Sequence, residues 1–184
     1  MMLRAAMVSV SVLAASVLAA CGSLSSMPMY SQASLPAAVQ VPSGHKVAIE
    51  SVGVGDITYQ CNAKKDMADQ FEWVFVGPDA KLNDRSGKQV GQYFGPPATW
   101  ESLDGSKLTG TQVAVAPSSA GNIPHQLVKA NPASGSGAMT GVTYIQRVNT
   151  MGGVAPGSAC AASNVGTKQV VKYQADYIFY KAVM

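Results

Sequence analysis

The sequence predicts an all-β protein, a single antiparallel β-sandwich or β-barrel domain with long loops and one disulfide. Three observations carry this expectation. Short runs rich in Val, Ile, Thr and aromatic residues recur with period-two alternation along most of the chain. Turn residues separate them, with 18 Gly and 10 Pro in 184 residues. No stretch of the domain repeats its apolar residues with the 3.6 period of a helix.

The elements follow in chain order. Lys46–Glu50 and Gly55–Cys61 read as two short strands parted by a Gly-containing turn, with Ile57, Tyr59 and Cys61 on one core-facing side. Asn62–Asp69 is polar and reads as a loop. In Gln70–Gly77, Phe71, Trp73 and Phe75 alternate with Glu72, Val74 and Val76, which predicts a strand covered on both faces. Gly77-Pro-Asp-Ala80 reads as a turn, and Lys81-Leu82 as a minimal strand before further turns at Asn83-Asp84 and Ser86-Gly87. Lys88–Phe94 is a strand halted by Gly95-Pro-Pro97. Thr99-Trp-Glu101 is parted by the Asp104-Gly105 hairpin signal from the strand Lys107–Ala116, where Gly110 suggests a bulge. Ile123–Ala130, with Pro124 near its start, is expected at a sheet edge. Gly141–Gly153 is the clearest strand. In Lys168–Tyr180 a polar set (Lys172, Gln174, Asp176) opposes an aromatic one (Tyr173, Tyr177), so it is expected to be half exposed. About ten short strands result, the pattern of a sandwich or barrel.

The first 20 residues read as a leader: Arg4, then an apolar run from Ala5 to Ala20, too short to span a bilayer. Leu18-Ala-Ala-Cys-Gly22 looks like a bacterial lipobox. On that reading residues 1–20 are a lipoprotein signal peptide and Cys21 carries the acyl chains. Residues 21–41, uncharged and dominated by Ser, Ala, Pro and Met, form a flexible tether, and residues 42–184 form the β domain. Several acyl chains, each contributing about 0.8 kcal/mol per buried CH₂, attach a protein stably where one is marginal. Gly22, in place of Asp, directs the expectation to the outer membrane, facing the periplasm or the cell surface.

With Cys21 lipidated, Cys61 and Cys160 remain in an oxidising compartment and are expected to form a disulfide. The chain-entropy argument gives such a loop about 4.7 kcal/mol as an upper figure. Metal ligation finds no support in two distant histidines (His45, His125) and no C-x-x-C. Loss of Arg4 lowers the 13 Lys+Arg by one against 10 Asp+Glu, a net charge of +2 with no basic cluster, which excludes a nucleic-acid footprint. Neither a cofactor nor a metal is expected, and a monomer is.

Val41-Pro-Ser-Gly-His-Lys46, Tyr59-Gln-Cys61, Trp73–Ala80, Asp104-Gly-Ser106, Gly141–Gly153 and Tyr177-Ile-Phe-Tyr180 together carry a resemblance. Over residues 40–180 the chain resembles the domain of unknown function family 3455 (DUF3455). Two places depart from that pattern: the family has His-Phe where this chain has Tyr93-Phe94, and a Trp-Leu-Leu-like run where it has His125-Gln126-Leu127. The resemblance implies an exported, largely β protein and brings no catalytic residues.

Arg147 is the sharpest candidate for chemistry. Beside Gln146 and Asn149 it is placed to offer a guanidinium fork to an anion. The plainer reading is an ion pair with Glu72, Glu101, Asp104 or Asp176, the usual fate of a buried charge. Trp73, Trp100, Tyr93, Phe94 and Tyr144 are candidate pocket walls, though such residues are more often simply core. His45 offers an acid/base but reads as a surface residue. No G-x-S-x-G or phosphate-cradling glycine loop occurs. The expectation is a lipid-anchored envelope domain that binds a small molecule or envelope component without catalysis. The alternatives are an enzyme on a sugar, cell-wall or small anionic substrate, with Arg147 orienting an anion and Glu72 or Asp104 as acid/base, and a purely structural or stress-related surface protein.

Overall fold

A computed structural model describes residues 30–183, apart from the side chain of Ala68. The leader, Cys21 and the first part of the expected tether lie outside them. Eight antiparallel strands form one sheet that closes on itself: β1 (His45–Lys64), β2 (Met67–Asn83), β3 (Gln89–Phe94), β4 (Thr99–Ser102), β5 (Lys107–Ala116), β6 (His125–Ala130), β7 (Val142–Gly152) and β8 (Lys168–Ala182). Each strand pairs with the next and β8 pairs with β1, from His45↔Ala182 to Gln60↔Lys168. Of the two all-β architectures expected, the chain takes the barrel. Cys61 and Cys160 are joined by a disulfide, with Cα atoms 5.4 Å apart.

Eight strands replace ten because the breaks expected between Glu50 and Gly55 and at Gly77–Ala80 do not occur. Gly53 and Gly55 lie inside β1, at points of close approach: a Cβ on Gly53 would strike the Tyr177 ring, and one on Gly55 the backbone of Asp79 and Ala80. Glycine here admits a neighbour rather than a turn. Asn62–Asp69 is likewise no loop, since β1 runs to Lys64 and β2 starts at Met67 around a turn whose Asp66 has φ 63°. Pro78 sits within β2, tolerated because pairing to β3 begins only at Asp79.

Other expectations change for reasons of neighbourhood. The bulge in β5 falls between Gln112 and Ala114, whereas Gly110 makes room for the Val128 side chain. β6 is no edge strand: it pairs with both β5 and β7, and Pro124 lies just outside it. The Gln70–Gly77 segment is not covered on both faces. It extends past the last β3 pair, and Val74 and Phe75 are 38% and 52% exposed.

Tyr59, Tyr93, Trp100, Ile145, Tyr173, Tyr177 and Phe179 fill the lumen. The barrel has two ends. One holds the start of β1, the end of β8 and the turns at 84–88, 103–106 and 131–141; we call it the terminal end. The other, the hairpin end, holds the β1–β2 hairpin and the loops 95–98, 117–124 and 153–167.

Residues 30–41 pack on the outside of the wall rather than hanging free as the expected tether. Val39 and Val41 are buried against Ala116, Leu127, Val148, Ile178 and Tyr180. This strap explains why β8 is buried on both faces from Asp176 to Tyr180, where a half-exposed strand is expected, while its earlier half does alternate. Gln146 fastens the strap. Its Nε2 donates to the Val39 carbonyl (2.6 Å) and to Gln32 Oε1 (2.9 Å), and its Oε1 accepts from the hydroxyls of Tyr180 (2.8 Å) and Tyr30 (3.2 Å). Gln32 in turn closes a two-way clasp on Val41 through its amide (2.7 and 2.9 Å).

Gln146 is fully buried, so its loss strands several polar groups at once. Gln146→Leu is therefore expected to lower unfolding free energy by about 1–3 kcal/mol in urea. It should also open residues 31–41 to limited proteolysis before the barrel is cut; an unchanged digestion pattern would contradict the clasp.

Candidate functional site

β3 and β4 are much shorter than their neighbours, and this opens one side of the barrel. β3 pairs with β2 only from Asp79 to Asn83, and β4 with β5 only from Lys107 to Thr109. Toward the hairpin end, residues 67–78 of β2 and 110–116 of β5 have no strand partner on that side among the described residues. The inner face of the long strands reaches solvent through the gap.

Arg147 lies on that inner face. It is paired across the sheet with Tyr177, which is fully buried in the lumen, and with Gln126, itself opposite Val115. Cross-strand partners point to the same side. Along this row burial falls from Tyr177 at 0% exposed to Val115 at 46%, so Arg147 stands where the lumen meets water. Its Nη2 donates to the Pro124 carbonyl (3.0 Å), which draws the guanidinium toward the hairpin end. Its Nε is buried without a hydrogen-bond partner.

The expected ion pair is absent. No carboxylate among the described residues lies within 4.0 Å of Arg147, and the four proposed partners are occupied or distant in role. Asp176 binds Arg85 (3.0 Å) and Asn149. Glu101 accepts from Gln92 (2.7 Å) and stands 4.0 Å from Lys107. Asp104 is fixed in its own turn, and Glu72 is exposed on the β1–β2 hairpin.

Tyrosines surround the charge instead. Burial raises the phenol pKa of Tyr59, Tyr93, Tyr173 and Tyr177, and the Arg147 charge only partly offsets it. They stay neutral at physiological pH and cannot serve as counter-ions. Tyr59 donates to the Gly153 carbonyl (2.8 Å), the Tyr173 and Tyr177 hydroxyls lie 3.3 Å apart, and Phe75 meets Tyr59 edge-on at 6.1 Å. His125, at the same end, has its pKa lowered by burial and then by Arg147, and its Nδ1 is buried without a partner.

Of the residues singled out from sequence, the structure brings three together: Arg147, Tyr93 and Trp100. Tyr93 stacks on Trp100 (4.7 Å, 20°) and lies 5.0 Å from the Tyr177 ring. Three others are elsewhere. Trp73 packs on the lumen core at its disulfide end, paired with Cys61 and donating to the Ser158 carbonyl (2.8 Å). Tyr144 packs on the strap side of the wall, edge-on to His45 at 4.9 Å. Asn149, at φ 48°, turns its amide to Asp176. Sequence reasoning missed Tyr59, Tyr173, Tyr177 and Phe75 as site walls. The period-two alternation of β1 and β8 already put the three tyrosines on core faces; only the missing strand reveals Phe75.

A family model described as "Protein of unknown function (DUF3455)" matches residues 42–181. The chain belongs to this family. The match begins just past the strap and covers every strand of the barrel but the final residue of β8. No curated protein and no solved structure matches the chain. Among the described residues, no group of three or more His, Cys, Asp or Glu side chains converges as a metal site would require.

Asp104, offered by the sequence as an acid/base, is a turn anchor at the terminal end, away from Arg147. Its carboxylate accepts from the Ser106 hydroxyl (2.6 Å) and the amides of Ser106 and Ala138 (2.9 and 2.7 Å), which pull its pKa down to about 2. A depressed folded-state pKa gives stability that is present above the unfolded value of about 3.9 and lost as pH falls toward 2. Melting temperature followed from pH 5 to 2 should therefore decline less steeply in Asp104→Asn than in the wild type. Parallel curves would show that these contacts do not favour the ionised form.

Proposed function

We propose that this member of the family is a lipid-anchored protein of the bacterial cell envelope whose barrel binds a small anion at Arg147, without catalysis. One observation carries the reading: a guanidinium with no carboxylate partner among the described residues, set among neutral tyrosines at an opening in the barrel wall. Leaving a charge in such a place is costly unless something of opposite sign can reach it. Arg offers a planar fork that suits a carboxylate, and the flanking rings of Tyr59, Tyr173 and Phe75 suit an apolar or aromatic body on the ligand. Glu72 and Asp104, the acid/base residues of the enzyme reading, sit elsewhere.

Titration with benzoate, acetate and inorganic phosphate, followed by calorimetry and amide shifts, is the direct test. Saturable carboxylate binding is expected, weakened about 10- to 100-fold in Arg147→Gln, in line with a charged hydrogen bond worth about 1.5–3 kcal/mol. Arg147→Lys should retain only part, lacking the fork. Equal binding by Arg147→Gln, or none by the wild type, would sink the proposal. Turnover of any bound compound, lost with one point change, would favour the enzyme reading instead.

The anchor has a geometric side. Nine residue steps separate Cys21 from Tyr30, where the strap meets the barrel. At 3.3–3.6 Å per residue this allows a reach of roughly 30 Å at most, so the anchored barrel stays within one domain diameter of the bilayer. Labelled palmitate should be incorporated by the wild type and not by Cys21→Ala, which should leave the membrane fraction. Retention of label in that variant would remove the lipoprotein reading.

A further inference from the structure

The terminal end of the barrel carries a second concavity, distinct from the opening at Arg147. It is a pocket of about 420 Å³, within the size range of small-molecule sites. Ile49, Leu82, Val90, Leu103, Met139 and Phe179 make its walls. Leu82, Met139 and Phe179 belong to the lumen core, so the pocket is the mouth of the lumen itself rather than a surface dimple. The stacked Tyr93 and Trp100, with Tyr177, lie one layer further in and part it from Arg147. Leu103 on the rim is 67% exposed, a large apolar side chain with nothing over it among the described residues.

The rim is polar and of mixed sign. Glu50 is held by Arg85 (3.1 Å). Asp84 is taken up by the Ser86 hydroxyl (2.6 Å) and by the amides of Ser86 and Lys88. The Lys88 ammonium has no carboxylate within 4.0 Å among the described residues, but Asp84 and Glu50 share its rim. No single charge dominates. Ser102 and Gln89 add hydroxyl and amide groups at the same edge.

We propose that this mouth binds the hydrocarbon chain of a single-chain amphiphile with an uncharged, hydroxyl-bearing head, such as an alkyl glycoside or a monoacylglycerol. The chain enters the apolar walls, where removal from water supplies the affinity. The head remains at the rim, where Lys88 and Ser102 donate and Asp84 and Gln89 accept. A charged head would meet one like charge at that rim whichever its sign. The eight-stranded barrel is suited to this, being wide enough to hold one small ligand when its interior is not filled to the end.

The test uses the whole β domain with its strap, titrated calorimetrically with hexyl, heptyl and octyl glucosides below their micelle concentrations. Matched alkyl sulfates and alkyltrimethylammonium salts serve as charged comparators. Affinity for the glucosides should rise about fourfold per added methylene, and both charged series should bind more weakly. Val90→Phe, which fills the pocket, should abolish binding. Leu103→Asp, an exposed substitution that leaves the core intact, should weaken it at least fivefold. No saturable binding, a response flat in chain length, or unchanged affinity in Leu103→Asp would overturn the site. Tighter binding of either charged series would overturn the assignment of the head. Benzoate binding at Arg147 should be unaffected by Leu103→Asp, so the two sites stand or fall separately.

Discussion

Closure of the sheet between β1 and β8 is the constraint on which the rest depends. Both strands are long, and their pairing runs from His45↔Ala182 to Gln60↔Lys168. It removes the free edges that an open sheet of this length would expose over its greater part. Closure also fixes which side of every strand is inside, because slipping any strand by one residue would turn its core face outward. With the seam set by β1 and β8, the short β3 and β4 cannot complete the wall at the hairpin end. The opening beside Arg147 follows from strand lengths, not from a displaced loop.

The disulfide and the strap act on the same seam from different sides. Cys61 lies near the end of β1, and Cys160 lies in the loop leading to β8. Their bond ties the two closing strands near the hairpin end, where Cys61 also exchanges backbone hydrogen bonds with Gly166 and Thr167. The strap covers β5 to β8 on the outside of the wall, and Gln146 supplies both donors and acceptors for it. A glutamine suits this position because its amide carries two donors and an acceptor with two lone pairs, so one buried side chain satisfies four partners. Arg85 adds a further link, joining Glu50 of β1 to Asp176 of β8 across the seam.

Much of this was legible in the sequence, and the misreadings share a cause. Alternation places Ile57, Tyr59, Tyr173 and Tyr177 on core faces, and the disulfide follows from the cysteine count once export is expected. Glycine and proline were read as punctuation, yet Gly53, Gly55 and Pro78 lie within strands. Their reason is tertiary: a tyrosine ring, a neighbouring backbone and a missing partner strand, none of which a local pattern contains. The strap was missed because Ser, Ala and Pro give no periodicity, although its few apolar residues, Val39 and Val41, are buried. Arg147 was found from sequence, whereas its lack of a partner was not. That depended on Asp176 being claimed by Arg85, a residue in a turn that no spacing rule connects to β8.

The contrast between two neighbours on β7 bears on how such a site persists. Gln146 and Arg147 point to opposite sides of the wall, one into the strap and one into the lumen. The polar group facing the strap is fully satisfied by protein; the charge facing the lumen is satisfied by a single carbonyl. Folding alone would favour an apolar residue at 147, since the surrounding tyrosines are neutral and offer no opposite charge. Retaining a guanidinium there, at a place where the inner face meets water, fits the proposal that the counter-charge comes from a bound ligand. Its electrostatic attraction is strengthened by the low-dielectric wall behind it and is screened only from the open side. Adjacent residues thus differ in kind: Gln146 holds the strap to the wall, and Arg147 carries the proposed anion site.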